Sequence, residues 1–178
     1  MFNVFNPVTL TAWKDVDGSG NNLYLSGSGS ANCNSYNNWD FEFSYMTAAS
    51  RELAMRFLDS VPNGYYIVVR SFDCDSTGGN SYAATWSSDQ STYGAGNSIY
   101  NVLKNAGFAA IDSINYPRYW FFVYKKNDPS FTPVWQLSQG LTGEITQNIF
   151  FCLLYTSTNV FSLKVDLKNK EKKGVPAR

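Results

Sequence analysis

Two carboxylates, Asp73 and Asp75, flank Cys74 just beyond an apolar run from Tyr65 to Val69, in the stretch SFDCDSTGG. Carboxylates held at a strand end could act as the acid and base of a hydrolase, or could bind the hydroxyls of a ligand. No second acidic pair accompanies them, so binding is the stronger of the two chemistries and solvation the plainest reading. The cysteines are Cys33, Cys74 and Cys152, and the chain has no histidine. A thiol nucleophile therefore lacks its usual base, and imidazole-based triads and zinc sites are excluded. Cys33 and Cys74 either form a disulfide between two polar loops of an exported protein or remain two free thiols. Asp15, Asp17, Ser19, Gly20 and Asn21 match the start of a calcium loop. The position that should carry the bidentate Glu is Ser26, so a solvated turn is expected there, with no metal and no cofactor.

Aromatic residues stand in or beside polar stretches: Tyr24, Tyr36, Trp39, Tyr82, Trp86, Tyr93, Tyr119 and Trp120. Sugar rings stack their C–H faces on such rings, while Asp, Asn and Arg bind the hydroxyls. For any single one of these residues, a place in or over the core is the stronger reading. Among 178 residues, 44% are hydrophobic and 17% aromatic, enough for one domain with a real core. Lys plus Arg and Asp plus Glu number 14 each, so the basic excess that grips nucleic-acid phosphates is missing. No run is long enough to span a membrane, and the first residues lack the charged-then-apolar pattern of a signal peptide. The Ser, Asn, Gly, Tyr and Thr of the loops suit an extracellular or cell-surface protein. The expectation is a piece of a longer exported chain.

The elements that must hold these groups centre on residues 48–71. Leu53, Ala54, Phe57, Leu58 and Val61 recur at helical spacing, while Arg51, Glu52, Arg56 and Asp59 fall elsewhere. Thr47 is the expected N-cap, Pro62 the stop and Asn63-Gly64 the turn. Tyr65 to Val69 then reads as a strand covered on both faces. Upstream, Phe2–Phe5 and Val8–Trp13 suggest an opening hairpin, and Phe41, Phe43 and Tyr45 alternate with polar neighbours. Downstream, Tyr82–Trp86 suggests a short strand. Asn97 is the expected cap of a second helix, 98–106, closed by Gly107 with Phe108 packing back. Tyr119–Tyr124 reads as a second buried strand, and Val134–Leu137 and Ile145–Phe150 as edge strands.

Residues 152–157 spell CLLYTS, after which the chain turns basic. This hexapeptide is the translation of TGT-CTC-TTA-TAC-ACA-TCT, which resembles a transposon end used to fragment DNA. Residues 151–178 are therefore expected to be a chimeric or read-through tail. The alternative is a native strand followed by a basic tail. Residues 1–150 are expected to form the domain.

The order of motifs resembles the interleukin-like EMT inducer domain family. FNVFNPVTL, DFEFSY, FLDSVPNGYYIVVRSFD and VLKNAGFAAIDSINYPRYWFFVYKK carry the resemblance, over about residues 1–127. With its VPNGYY and FVYKK, the chain resembles copies embedded in large exported proteins of Bacteroidetes-like bacteria. The resemblance implies an α+β fold of two packed antiparallel sheets flanked by two main helices, with no catalytic centre. One branch of the family is cytokine-like; another, the stem domain of an O-mannose N-acetylglucosaminyltransferase, binds sugar. By that likeness, Asp73 or Asp75 and Arg118 would bind a glycan, beside Trp120. Arg118 stands two residues before Trp120 where the family has three, and Tyr119 occupies the place next to it. The functional expectation is a non-enzymatic carbohydrate-recognition module. Its alternative is a structural or protein-interaction domain of a cell-surface or type IX-secreted protein.

Overall fold

The computed structural model describes residues 1–14, 19, 39–71, 83–114, 118–139, 145–152 and 160–167. The fold is α+β. A four-stranded antiparallel sheet is built from β1 (Phe2–Phe5), β2 (Tyr66–Arg70), β3 (Trp120–Lys125) and β4 (Val134–Leu137), in that spatial order. Three α-helices are described with it: α1 (Ala48–Ser60), α2 (Gln90–Tyr93) and α3 (Ile99–Asn105). Two further strands, β5 (Ile145–Cys152) and β6 (Val160–Leu167), pair with each other antiparallel as a separate two-stranded sheet. This pairing runs across the expected boundary at residue 150, since Cys152 is in register with Val160.

Helix α1 forms where its spacing predicts. The Thr47 hydroxyl accepts the Ser50 N–H at 3.2 Å, filling one donor left open at the helix start. Ala54, Met55, Phe57 and Leu58 are buried, whereas Leu53, expected on the apolar face, is 52% exposed. The buried arc is centred on Ala54, Phe57, Leu58 and Val61, one position round from Leu53. Phe57 is the hub of an aromatic cluster, with ring centroids 4.5 Å from Phe41, 5.5 Å from Phe43 and 5.9 Å from Phe2. Gly64 takes a φ of 81° in the turn that follows, and β2 is then buried on both faces.

Three local expectations give way to particular hydrogen bonds. Val8–Trp13 is not a strand: Phe5 meets Ala12 only in an isolated bridge, and the long partner of β1 is β2. The Asn6 carboxamide oxygen accepts the N–H groups of Val8 (2.8 Å) and Thr9 (3.0 Å), which curls the chain away from a ladder. The described part of the expected strand Tyr82–Trp86 is not extended either; Ala83–Asp89 is a 3-10 helix leading into α2. Ala83, Trp86 and Asp89, three apart, are all buried, which is the one-sided pattern of that helix type. Ser88 and Ser91 hydroxyls donate to carbonyls three residues back, at 2.7 and 2.8 Å, and favour tight turns over extension. The cap of α3 is Ser98, whose hydroxyl accepts the Asn101 N–H at 3.1 Å, and not Asn97.

Gly107 behaves as expected. With φ at 101° it ends α3, and the Phe108 N–H reaches back to the Leu103 carbonyl at 3.0 Å. Phe108 is thereby turned into the core, stacked on Phe122 with centroids 4.8 Å apart and tilted on Trp120 at 5.3 Å. A buried fork joins α1 to the 3-10 helix: Arg51 Nε and one of its terminal nitrogens donate to the two Asp89 oxygens, both at 2.7 Å.

Removing the charge from that fork leaves the largely covered Arg51 without its counter-ion. Asp89→Asn should cost about 3 kcal/mol, read as a lower urea midpoint at unchanged slope. Gly107→Ala should cost more than Gly64→Ala. Both have positive φ, but a Cβ on Gly107 would lie 2.8 Å from Pro133 Cγ, while Gly64 faces open space. Equal losses in the two alanine variants would show that the contact with Pro133 relaxes freely.

Candidate functional site

Antiparallel pairing brings the end of β2 and the start of β3 together at one end of the sheet. Beyond the Arg70–Phe121 pair, the Ser71 N–H donates to the Trp120 carbonyl at 2.9 Å, and the Ser71 hydroxyl accepts the Trp120 N–H at 2.9 Å. Ser71, the last described residue before the stretch with Asp73 and Asp75, is therefore paired with Trp120, two residues along the chain from Arg118. Asp73 and Asp75 themselves lie outside the described residues. Arg118 is half-buried, and Trp120 is buried at 5% exposure against Phe108. An indole so covered fills the core and offers no face to a sugar ring. Its Nε1 is buried and has no hydrogen-bond partner among the described residues. A cavity of about 70 Å³ adjoins it, lined also by Phe43, Tyr45, Arg51, Arg70 and Trp86.

On the other face at this end, Asp40 accepts from Asn3 at 2.6 Å and from Arg70 at 2.9 Å, all through one oxygen. Its second oxygen and Arg70 Nε are buried and unpartnered among the described residues. None of this cluster carries a sequence signal, because Asn3, Asp40 and Arg70 are each isolated polar residues in unrelated segments. Of the other aromatic candidates, Trp86 and Tyr119 are buried at 4% and 6%, while Trp39 is 47% exposed. Tyr24, Tyr36 and Tyr82 lie outside the described residues, as do Cys33, Cys74, Asp15, Asp17, Gly20 and Asn21. Among the described residues, no group of three or more acidic or Cys side chains could hold a metal ion. No described helix is long and apolar enough to cross a membrane.

A larger concavity lies at the opposite end of the sheet. It is a cleft of about 620 Å³ between the C-terminal ends of α1 and α3 and the chain that follows β3. Lys126 anchors its wall: the ammonium donates to the carbonyls of Leu58 (2.6 Å), Asp59 (3.0 Å) and Val61 (2.6 Å), capping α1. Burial lowers the Lys126 pKa, opposed by the nearby charge of Asp59. Burial, and then Asp59, raise that of Tyr124, so its phenol stays protonated. Lys125 pairs with Asp128 at 2.7 Å, and the Ser130 N–H donates to the same carboxylate at 3.0 Å. The sequence reading missed this cleft. Its one advance signal is Gly107, whose place after a helical run marks the end of α3, which lies at the rim.

The hydrogen bonds from Lys125 and Ser130 lower the Asp128 pKa from 3.8 to about 2. A depressed carboxyl favours the fold above its ordinary value, and that contribution is lost as pH falls through about 2. The side-chain carboxyl resonance of Asp128 should titrate near that pH, and Lys125→Met should return the midpoint towards 3.8. A wild-type midpoint already at the ordinary value would remove the pair. Comparison of the chain with models of known families, with curated proteins and with solved structures returns no match.

Proposed function

We propose that this chain is a non-enzymatic recognition module of an exported or cell-surface protein, and that its ligand is carbohydrate. The observation that supports the reading is the Ser71–Trp120 hydrogen-bond pair, which joins the residue two before Asp73 to the residue two after Arg118. A guanidinium and a carboxylate at one sheet end are the hydrogen-bonding groups that sugar hydroxyls require. In this reading Asp73, Asp75 and Arg118 hold the ligand. Trp120 serves as the packed floor beneath them instead of the stacking platform that the sequence suggests.

The same proposal keeps residues 1–150 as one domain in which two antiparallel sheets pack together, with residues 151–178 as chimeric or read-through sequence. Burial of both faces of β2 and β3 supports a second covering layer. Deleting residues 151–178 should then leave the thermal midpoint unchanged. A fall of several degrees would make β6 part of the fold.

A second reading, a structural or protein-interaction domain of a large surface or type IX-secreted protein, is favoured by the burial of Trp120. A glycan array probed with the full chain and with Arg118→Ala separates the two. Carbohydrate recognition predicts a wild-type signal that falls about tenfold or more in the variant. Silence from folded wild-type protein would overturn it in favour of the structural reading.

A further inference from the structure

The geometry points to a second, separate ligand site in the 620 Å³ cleft at the far end of the sheet, built for an uncharged, hydroxyl-bearing ligand. Its volume lies in the range of small-molecule sites, roughly 300–1,000 Å³. Its wall joins apolar surface from Leu58, Val102 and Phe131 to the polar groups of Asp59, Asn105 and Tyr124. Asp59 and Asn105 are exposed, so their polar atoms meet solvent in the free protein.

Charge selects the ligand class. The two cations of the wall are committed within the protein, Lys125 to Asp128 and Lys126 to the three carbonyls that end α1. An anionic ligand would meet Asp59 with no cation free to offset it. Asp59 in turn lies near enough to the Lys126 ammonium for their charges to interact, so the wall's two acidic and two basic side chains cancel and no net field favours a cation. What remains is the Asn105 amide, which both donates and accepts, the Tyr124 phenol, which stays protonated, and the Asp59 carboxylate, which accepts. Hydroxyl groups, each donor and acceptor at once, match that mixture.

The cleft is also preorganised. Gly107 sits so close to Pro133 that a Cβ would meet its ring at 2.8 Å, so the end of α3 packs closely on the chain before β4. The ammonium of Lys126 ties the end of α1 to the end of β3. Walls held in this way lose little freedom on binding, which favours small ligands.

The test is a titration of the full 15N-labelled chain with a panel of neutral methyl glycosides, followed by amide shifts. Saturable shifts are expected at Asn105, Gly107, Asn127 and Asp128. Asn105→Trp, an exposed change that fills the cleft, should abolish them with the rest of the spectrum intact. Asn105→Ala should weaken binding about tenfold by removing one hydrogen-bonding side chain. The affinity should not change between about 0.05 and 0.5 M salt, because a neutral ligand has no charge to screen. Absence of shifts at these amides across the panel, or shifts that persist in Asn105→Trp, would overturn the site. Strong salt dependence would overturn the ligand class. Arg118→Ala, in the same titration, should leave the cleft shifts unchanged. Loss of cleft shifts in that variant would mean one site and not two. The outcome at the cleft is thus read separately from that of the glycan array.

Discussion

A strand covered on both faces has no solvent to satisfy its backbone, so every N–H and C=O must find a partner in the sheet. The β2–β3 pair carries that constraint here. Tyr66 to Val69 and Trp120 to Tyr124 are all buried, and β1 and β4 complete the ladder on either side. Alternation then assigns each side chain. Ile67, Val69, Trp120, Phe122 and Tyr124 join α1 and α3 in the main core, while Tyr66, Val68, Phe121 and Val123 face the other way. A slip of one residue would exchange these two sets, so the register is fixed by both faces at once.

Polar clamps orient the helices against this sheet. The Arg51–Asp89 fork joins α1 to the 3-10 helix, Lys126 joins α1 to the end of β3, and Asp40 gathers Asn3 and Arg70 across β1 and β2. Buried ion pairs add little net stability compared with apolar packing, since desolvation offsets their attraction. Their effect lies in direction. A guanidinium forked onto a carboxylate accepts one geometry, whereas aromatic rings such as Phe57 and Phe41 slide over one another at small cost.

The two ends of the sheet are therefore different places. At one, Ser71 after β2 is bonded to Trp120, which plugs the core there. At the other, two helix ends and a lysine cap leave an open, charge-balanced cleft. Among the described aromatic residues in or beside polar stretches, three went into the core, the stronger reading for any single one of them. Trp86, Tyr119 and Trp120 illustrate this, because an indole or phenol buries more apolar area than any aliphatic residue could at the same position.

Local patterns were enough for the parts of the fold that local physics controls. The helix at 48–60, its Thr47 cap, the Pro62-Asn63-Gly64 stop, the Gly107 terminator and the two buried strands all follow from spacing, capping and backbone freedom, which neighbours in sequence decide. The ring-burial preference of Phe108 after a left-handed glycine is local in the same sense. What only the tertiary structure decided is partnership. That β1 finds its long partner in β2 and only a single bridge in 8–13, that Ala83–Asp89 coils instead of extending, and that Trp120 faces inward depend on residues far away in the chain. So does the cleft, whose wall draws on Asp59, Asn105 and Tyr124, none of which carries a motif. A chain's spacing encodes which face of an element is apolar, but which surface meets that face is set by packing among all the elements together.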